Sequence, residues 1–183
     1  MLAIIKVGVL VSSMTIFAAS AAEWDKVFSL INQRLSYMQE VAVNKAKAHL
    51  AIEDLEQEKK VLQKAMVTAK NNGLDPDSVK PLFSALMETA KIIQYRYQKN
   101  HLDMTQKAGD SPVKTLAKIR LEIAESSDLL IKALYQILHS GVGFDETSRE
   151  KLIKIIDQPE LSNIDKELIF TALRAVKLKQ YTQ

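Results

Sequence analysis

Trp24-Asp25-Lys26-Val27-Phe28-Ser29-Leu30-Ile31-Asn32-Gln33-Arg34-Leu35-Ser36-Tyr37-Met38 decides how the chain is read. Val27, Phe28, Ile31, Leu35 and Met38 recur at steps of three and four, the spacing that lines up one face of a helix against a core. The same period returns downstream. After a break near His49-Leu50-Ala51, Ile52-Glu53-Asp54 opens a second, strongly charged helix running to Asn71-Asn72-Gly73, where glycine supplies a left-handed stop. Asp75 can cap a third helix with Pro76 at its first position, and Val79, Leu82, Phe83, Leu86, Ala90 and Ile93 form its buried stripe toward Leu102. A polar connection, Met104 to Ser111, leads to Ser111-Pro112 as the next cap and to a fourth helix with Leu116, Ile119, Ile123, Leu130, Leu134 and Ile137 inward, ending at Ser140-Gly141-Val142-Gly143. Two shorter helices follow, divided near Pro159, with capping boxes expected at Thr147–Glu150 and Ser162–Asp165. The expectation is an all-α single domain of about six helices.

Composition agrees. Hydrophobic residues are 47% and charged residues 26%, with five Gly and four Pro, which leaves little material for turn-rich β structure. The net charge of +3 arises from basic residues interspersed with acidic ones, so no nucleic-acid-binding stripe is present. The absence of cysteine removes disulfides, thiolate metal sites and cysteine nucleophiles. His49, His101 and His139 are isolated and form no metal-ligand spacing, and no serine nucleophile elbow occurs. Tyr95-Arg96-Tyr97 reads as packing at a helix end.

Residues 1–22 differ from the rest. Lys6 is the sole charge, an apolar run spans Val7 to Ala19, and small residues fill Ala18 to Ala22. This is the pattern of a signal peptide cleaved near Ala21/Ala22, which places the mature chain, 23–183, in the periplasm or outside the cell with no stable membrane association. An uncleaved anchor is the other reading, although the apolar run is short for a span.

Within the mature chain, charged and polar residues sit on or beside the apolar stripes. Arg34 and Lys45 are eleven positions apart, which brings both to nearly one face of the first helix. Asp54 and Glu58 are four apart, as are Ala90 and Gln94. Such spacings fit a substrate pocket and solvated surface pairs alike.

Order and spacing over longer stretches carry more. Leu30 to Met38, Asn44-Lys45-Ala46-Lys47 and Ile52 to Glu58 closely resemble the AroQ chorismate mutases. Gly73 to Pro81, Ala90 to Tyr97, Gly143 to Glu146 and Asp157 to Ser162 are similar to the secreted gamma subclass, so the resemblance spans nearly all of the mature chain. It implies a helical mutase with residues 23–103 supplying catalytic helices and 104–183 completing the pocket.

The reaction so implied is the intramolecular rearrangement of chorismate to prephenate, on the route to phenylalanine and tyrosine, with no cofactor and no metal. By the resemblance, Arg34 and Arg120 bind substrate carboxylates. Lys45 and Gln94 flank the ether oxygen, where negative charge develops, and are the expected catalytic pair. Asp54 and Glu58 contact the ring hydroxyl, although Asp54 equally fits a carboxylate favoured at a helix N-terminus. Gln57 replaces an arginine found in many members and Ala90 replaces a hydroxyl found in some, each removing one contact to the substrate. A homodimer with each pocket inside one protomer is also implied. The competing reading is an exported, non-catalytic helical adaptor, which would scatter these residues over its surface.

Overall fold

A computed structural model describes residues 12–101 and 114–180. Among them the chain forms seven helices: α1 (Ser12–Ser36), α2 (Met38–Lys47), α3 (Leu55–Asn71), α4 (Pro76–Asn100), α5 (Leu116–His139), α6 (Glu146–Ile155) and α7 (Asn163–Arg174). Six were expected, and the seventh arises because Tyr37 interrupts the first. The interruption is local. Tyr37 keeps helical dihedrals (φ −73°, ψ −12°) and its carbonyl still accepts from Val41 N at 2.9 Å, so Arg34 and Lys45 stay on related faces.

Helix ends follow from local chemistry. Gly73 (φ +83°) and Gly141 (φ +80°) stop α3 and α5 as expected, with Leu74 N and Val142 N reaching back to Ala69 O and Ile137 O. Gly73 has a second reason to be glycine, since a Cβ there would stand 2.8 Å from the Tyr135 ring. His49 (φ +52°) performs the same left-handed turn after α2, and Leu50 N reaches Lys45 O at 2.8 Å. Asp75 caps α4 ahead of Pro76, and Ser162 and Asp165 form a reciprocal capping box on α7.

Three expected starts are corrected. The charged helix opens at Leu55 rather than at Ile52, because Asp54 serves as its N-cap and accepts from Gln57 N at 3.1 Å. Helix α6 is capped by Asp145, which accepts from Ser148 N at 2.9 Å, two residues before the Thr147–Glu150 box. Thr115 caps α5, one turn later than expected; Ser111-Pro112 and Leu102 lie outside the described residues.

The core lies where α1 packs along α5 and α6, and where α4 is clasped by α2, α3 and α7. Val27, Phe28, Ile31 and Leu35 meet Leu82, Phe83, Leu86 and Ile93 from α4 and Ile119, Leu130, Leu134 and Ile137 from α5, all fully buried. Burying each such side chain contributes about 1.5–3 kcal/mol. The C-terminal segment returns to α3, with Lys179 N bonding Gly73 O and Asp75 N bonding Lys177 O. Among the described residues no helix is long and apolar enough to cross a membrane.

Candidate active site

At the α2 end of this core the apolar pattern gives way to a cavity of about 240 Å³ enclosed by α1 to α5. Its walls are apolar, formed by Met38, Val41, Ile52, Phe83, Met87 and Ile123 among others. Arg34, Lys45, Asp54, Gln57, Glu58, Ala90, Gln94 and Arg120 all line it, and all come from one chain.

Arg34 reaches the cavity from the last turn of α1 and is 5% exposed. Its Nη1 donates to Ser127 Oγ at 2.6 Å, its guanidinium lies 5.7 Å from the centre of the Phe83 ring, and its Nε is buried without a partner. Among the described residues no carboxylate joins it. Burial therefore pulls the guanidinium down to about 10, because the fold desolvates the charge and supplies no counter-ion. Ser127 is itself held by donation to Ile123 O at 2.7 Å. Sequence reading missed it, yet the signal was there: Ser127 occupies the α5 stripe position between Ile123 and Leu130 where an aliphatic residue is the norm.

Lys45 is 6% exposed, and its ammonium donates to the Ile52 carbonyl. The turn at His49 makes this contact, since it folds residues 50–54 back across α2. Burial pulls the ammonium below its ordinary range, with Arg120 adding to the fall and Asp54, Glu58 and Glu53 opposing it. From α4, Gln94 is buried with Nε2 donating to Ala90 O at 3.1 Å and lying 3.7 Å from Met38 Sδ. Its Oε1 has no partner. Ala90, one turn earlier, contributes a small apolar patch of wall.

The remaining residues form the rim. Asp54 has two tasks, capping α3 through one oxygen and pairing through the other with Arg120 Nη2 at 2.7 Å. That contact joins the loop before α3 to α5 across the opening. Glu58 Oε2 lies 3.4 Å from Lys91 Nζ, and Lys64 Nζ lies 2.9 Å from Asp128. Gln57 lines the cavity one turn into α3. Among the described residues, no group of three or more His, Asp or Glu is placed to hold a metal ion.

The arrangement presents two buried cations and a neutral amide to an apolar-walled space, behind a rim of paired charges. It lacks a nucleophile poised beside a base. Chemically it can desolvate, grip and orient an anionic ligand and can stabilise charge that develops inside it.

Comparison with known proteins agrees with this geometry. The family model for chorismate mutase type II matches residues 25–95. The chain is 37% identical over 176 residues to the secreted chorismate mutase of Yersinia pestis, covering 94% of each, and 35% identical over 160 residues to a monofunctional chorismate mutase of Enterobacter agglomerans, covering 87% of each. The crystal structure of the Yersinia pestis protein superimposes with a TM-score of 0.76 at 38% identity, over 84% of this chain and 98% of that one. A chorismate mutase from Burkholderia phymatum, at 19% identity and a TM-score of 0.66 over 86% of this chain and 98% of that one, shares the fold. With its helices, its pocket and these relatives in agreement, the chain belongs to the chorismate mutase type II family.

Proposed function

We propose that this chain is an exported isomerase that converts chorismate to prephenate inside the cavity of α1 to α5. The observation that carries the reading is Arg34, a guanidinium buried at the same cavity as Lys45 with no carboxylate partner among the described residues. A buried charge without a partner is unfavourable for folding alone, and a ligand carboxylate supplies what is missing.

The rearrangement breaks the ether C–O bond and forms a C–C bond within one dianion, so it needs neither cofactor nor proton transfer. What the site contributes is conformational restriction and charge stabilisation. Arg34 grips one carboxylate through a planar fork with a free Nε. Lys45 turns from the Ile52 carbonyl to the ether oxygen as negative charge develops there. Gln94 donates from the opposite side, exchanging its weak contact with Met38 sulfur for that oxygen. Glu58, paired with Lys91, accepts from the ring hydroxyl. Arg120, steadied by Asp54, stands at the opening for the substrate's other end. Ala90 leaves room beside Gln94, and Gln57 supplies an amide on the α3 wall.

Purified protein incubated with chorismate should yield prephenate well above the spontaneous rate, and Lys45→Ala should lower kcat about 10²–10³-fold. Absence of conversion by the parent protein sinks the reading; full activity in Lys45→Ala sinks the mechanism. Because an amide donates at any ordinary pH, the rate should not collapse between acid and neutral pH. Residues 1–22 are taken as the export signal, and the terminus found near Ala22 in protein recovered outside the cytoplasm tests this. The homodimer implied by the resemblance is tested by light scattering. Convergence of Arg34, Lys45, Glu58, Gln94 and Arg120 on one cavity weighs against an adaptor.

A further inference from the structure

The charges lining the cavity do not balance, and the way they pair locates the excess. Six cations line it, Arg34, Lys45, Lys60, Lys64, Lys91 and Arg120, against three carboxylates, Asp54, Glu58 and Asp128. Each carboxylate is taken: Asp54 by Arg120 at 2.7 Å, Glu58 by Lys91 at 3.4 Å and Asp128 by Lys64 at 2.9 Å. Arg34 and Lys45 are left inside. At the rim, the cation left is Lys60, which has no ion pair among the described residues and lies on α3 one helical turn before Lys64.

The two buried cations bond to Ser127 and to the Ile52 carbonyl, deep among apolar walls. A dianion seated on them still carries a carboxylate that must be met nearer the opening. Arg120 can turn the rest of its fork to it while Nη2 stays on Asp54, Lys64 can meet it only by weakening its bond to Asp128, and Lys60 gives up nothing but water. Resting on the mutase reading above, we infer that Lys60 joins Arg120 in binding the outer carboxylate of the substrate at the mouth of the cavity. It is a substrate-binding residue that sets affinity for a dianion over a monoanion. Its long, solvated side chain delivers a point charge without the rigid fork of an arginine. The chemical step, which takes place between Lys45 and Gln94, does not involve it.

Steady-state kinetics of Lys60→Gln, Lys60→Arg and Lys59→Gln test this. Lys59 is the exposed neighbour on the same helix and lies outside the cavity lining. Lys60→Gln should raise KM for chorismate roughly three- to tenfold, leave kcat within about twofold and flatten the fall of kcat/KM with added salt. Lys60→Arg should keep KM near that of the parent, and Lys59→Gln should change neither constant. An unchanged KM in Lys60→Gln overturns the inference, as does a loss confined to kcat. An equal rise in KM for Lys59→Gln also overturns it, since the effect would then belong to the general field of the helix. If the parent protein converts no chorismate, the mutase reading itself fails; if it converts while Lys60→Gln behaves as the parent, the assignment of Lys60 alone is lost.

Discussion

Arg34 and Arg96 look alike in the sequence, each the lone arginine of its helix and each in that helix's C-terminal part, and the fold treats them in opposite ways. Arg96, on α4, is 45% exposed through its side chain and bonds Asp165 at 2.5 and 3.4 Å and the Glu160 carbonyl at 2.6 Å. It clamps the capping box of α7 onto α4. Arg34 is nearly sealed from solvent, and its hydrogen-bond partner among the described residues is a neutral hydroxyl. Where the protein supplies the counter-charge the arginine is architecture. Where it withholds one, the arginine is the one proposed to take a ligand carboxylate.

The contrast is broken or upheld first by exchanging Arg34 for Met, a neutral chain of similar length. Arg34→Met should lower kcat/KM about 10²–10³-fold, while the unliganded fold keeps its stability or gains about 1–4 kcal/mol, as read by chemical denaturation. A fall in both would make Arg34 structural. Next comes Arg96→Met, for which the expectation inverts: about 1–3 kcal/mol less stability, because Asp165 is left without its cation, with kcat and KM of the folded enzyme unchanged.

Smaller effects sharpen the picture through pH. Burial pulls Lys45 below its ordinary value of 10.5, and the proposed mechanism needs it charged, so kcat/KM should fall on an alkaline limb below that value. A bound dianion favours the ammonium, so the limb of kcat should lie higher than that of kcat/KM. In the free fold the sign is fixed: the unfolded chain binds this proton more tightly, so the burden of burying Lys45 is full below the depressed value and lifts as pH rises through it. The smallest expected effect concerns Asp165. Burial pushes its carboxyl up, but hydrogen bonds from Arg96 and Ser162 more than offset this and hold it below its ordinary value of 3.8. Its stabilisation is therefore present above that value and is lost as pH falls through the depressed one. The difference in denaturation midpoint between the parent and Arg96→Met should narrow below about pH 3.8 and vanish in stronger acid.

How far the sequence revealed these things depends on the distance over which each is decided. Gly73, Gly141, Asp75-Pro76 and Ser162–Asp165 act within one turn, and they ended or began helices where they were read to. Asp145 was missed because a second, equally local pattern at Thr147–Glu150 competed with it, and nothing within that turn ranks the two. The cavity is decided at long range. Spacing could bring Arg34, Lys45 and Gln94 toward inward faces, but whether a carboxylate from another helix would meet each charge depends on packing between distant segments. Ser127 lies 93 positions from Arg34, and Asp165 lies 69 from Arg96. Resemblance along the whole chain supplied what periodicity could not.

Each wall of the cavity, from Arg34 on α1 to Ser127 on α5, is drawn from a single chain. The proposed site thus predicts that activity is a property of the individual molecule: turnover per molecule should stay constant on serial dilution, even past the point where any assembly falls apart. For a chain exported as proposed, that independence from its own concentration would be the working advantage of a self-contained pocket.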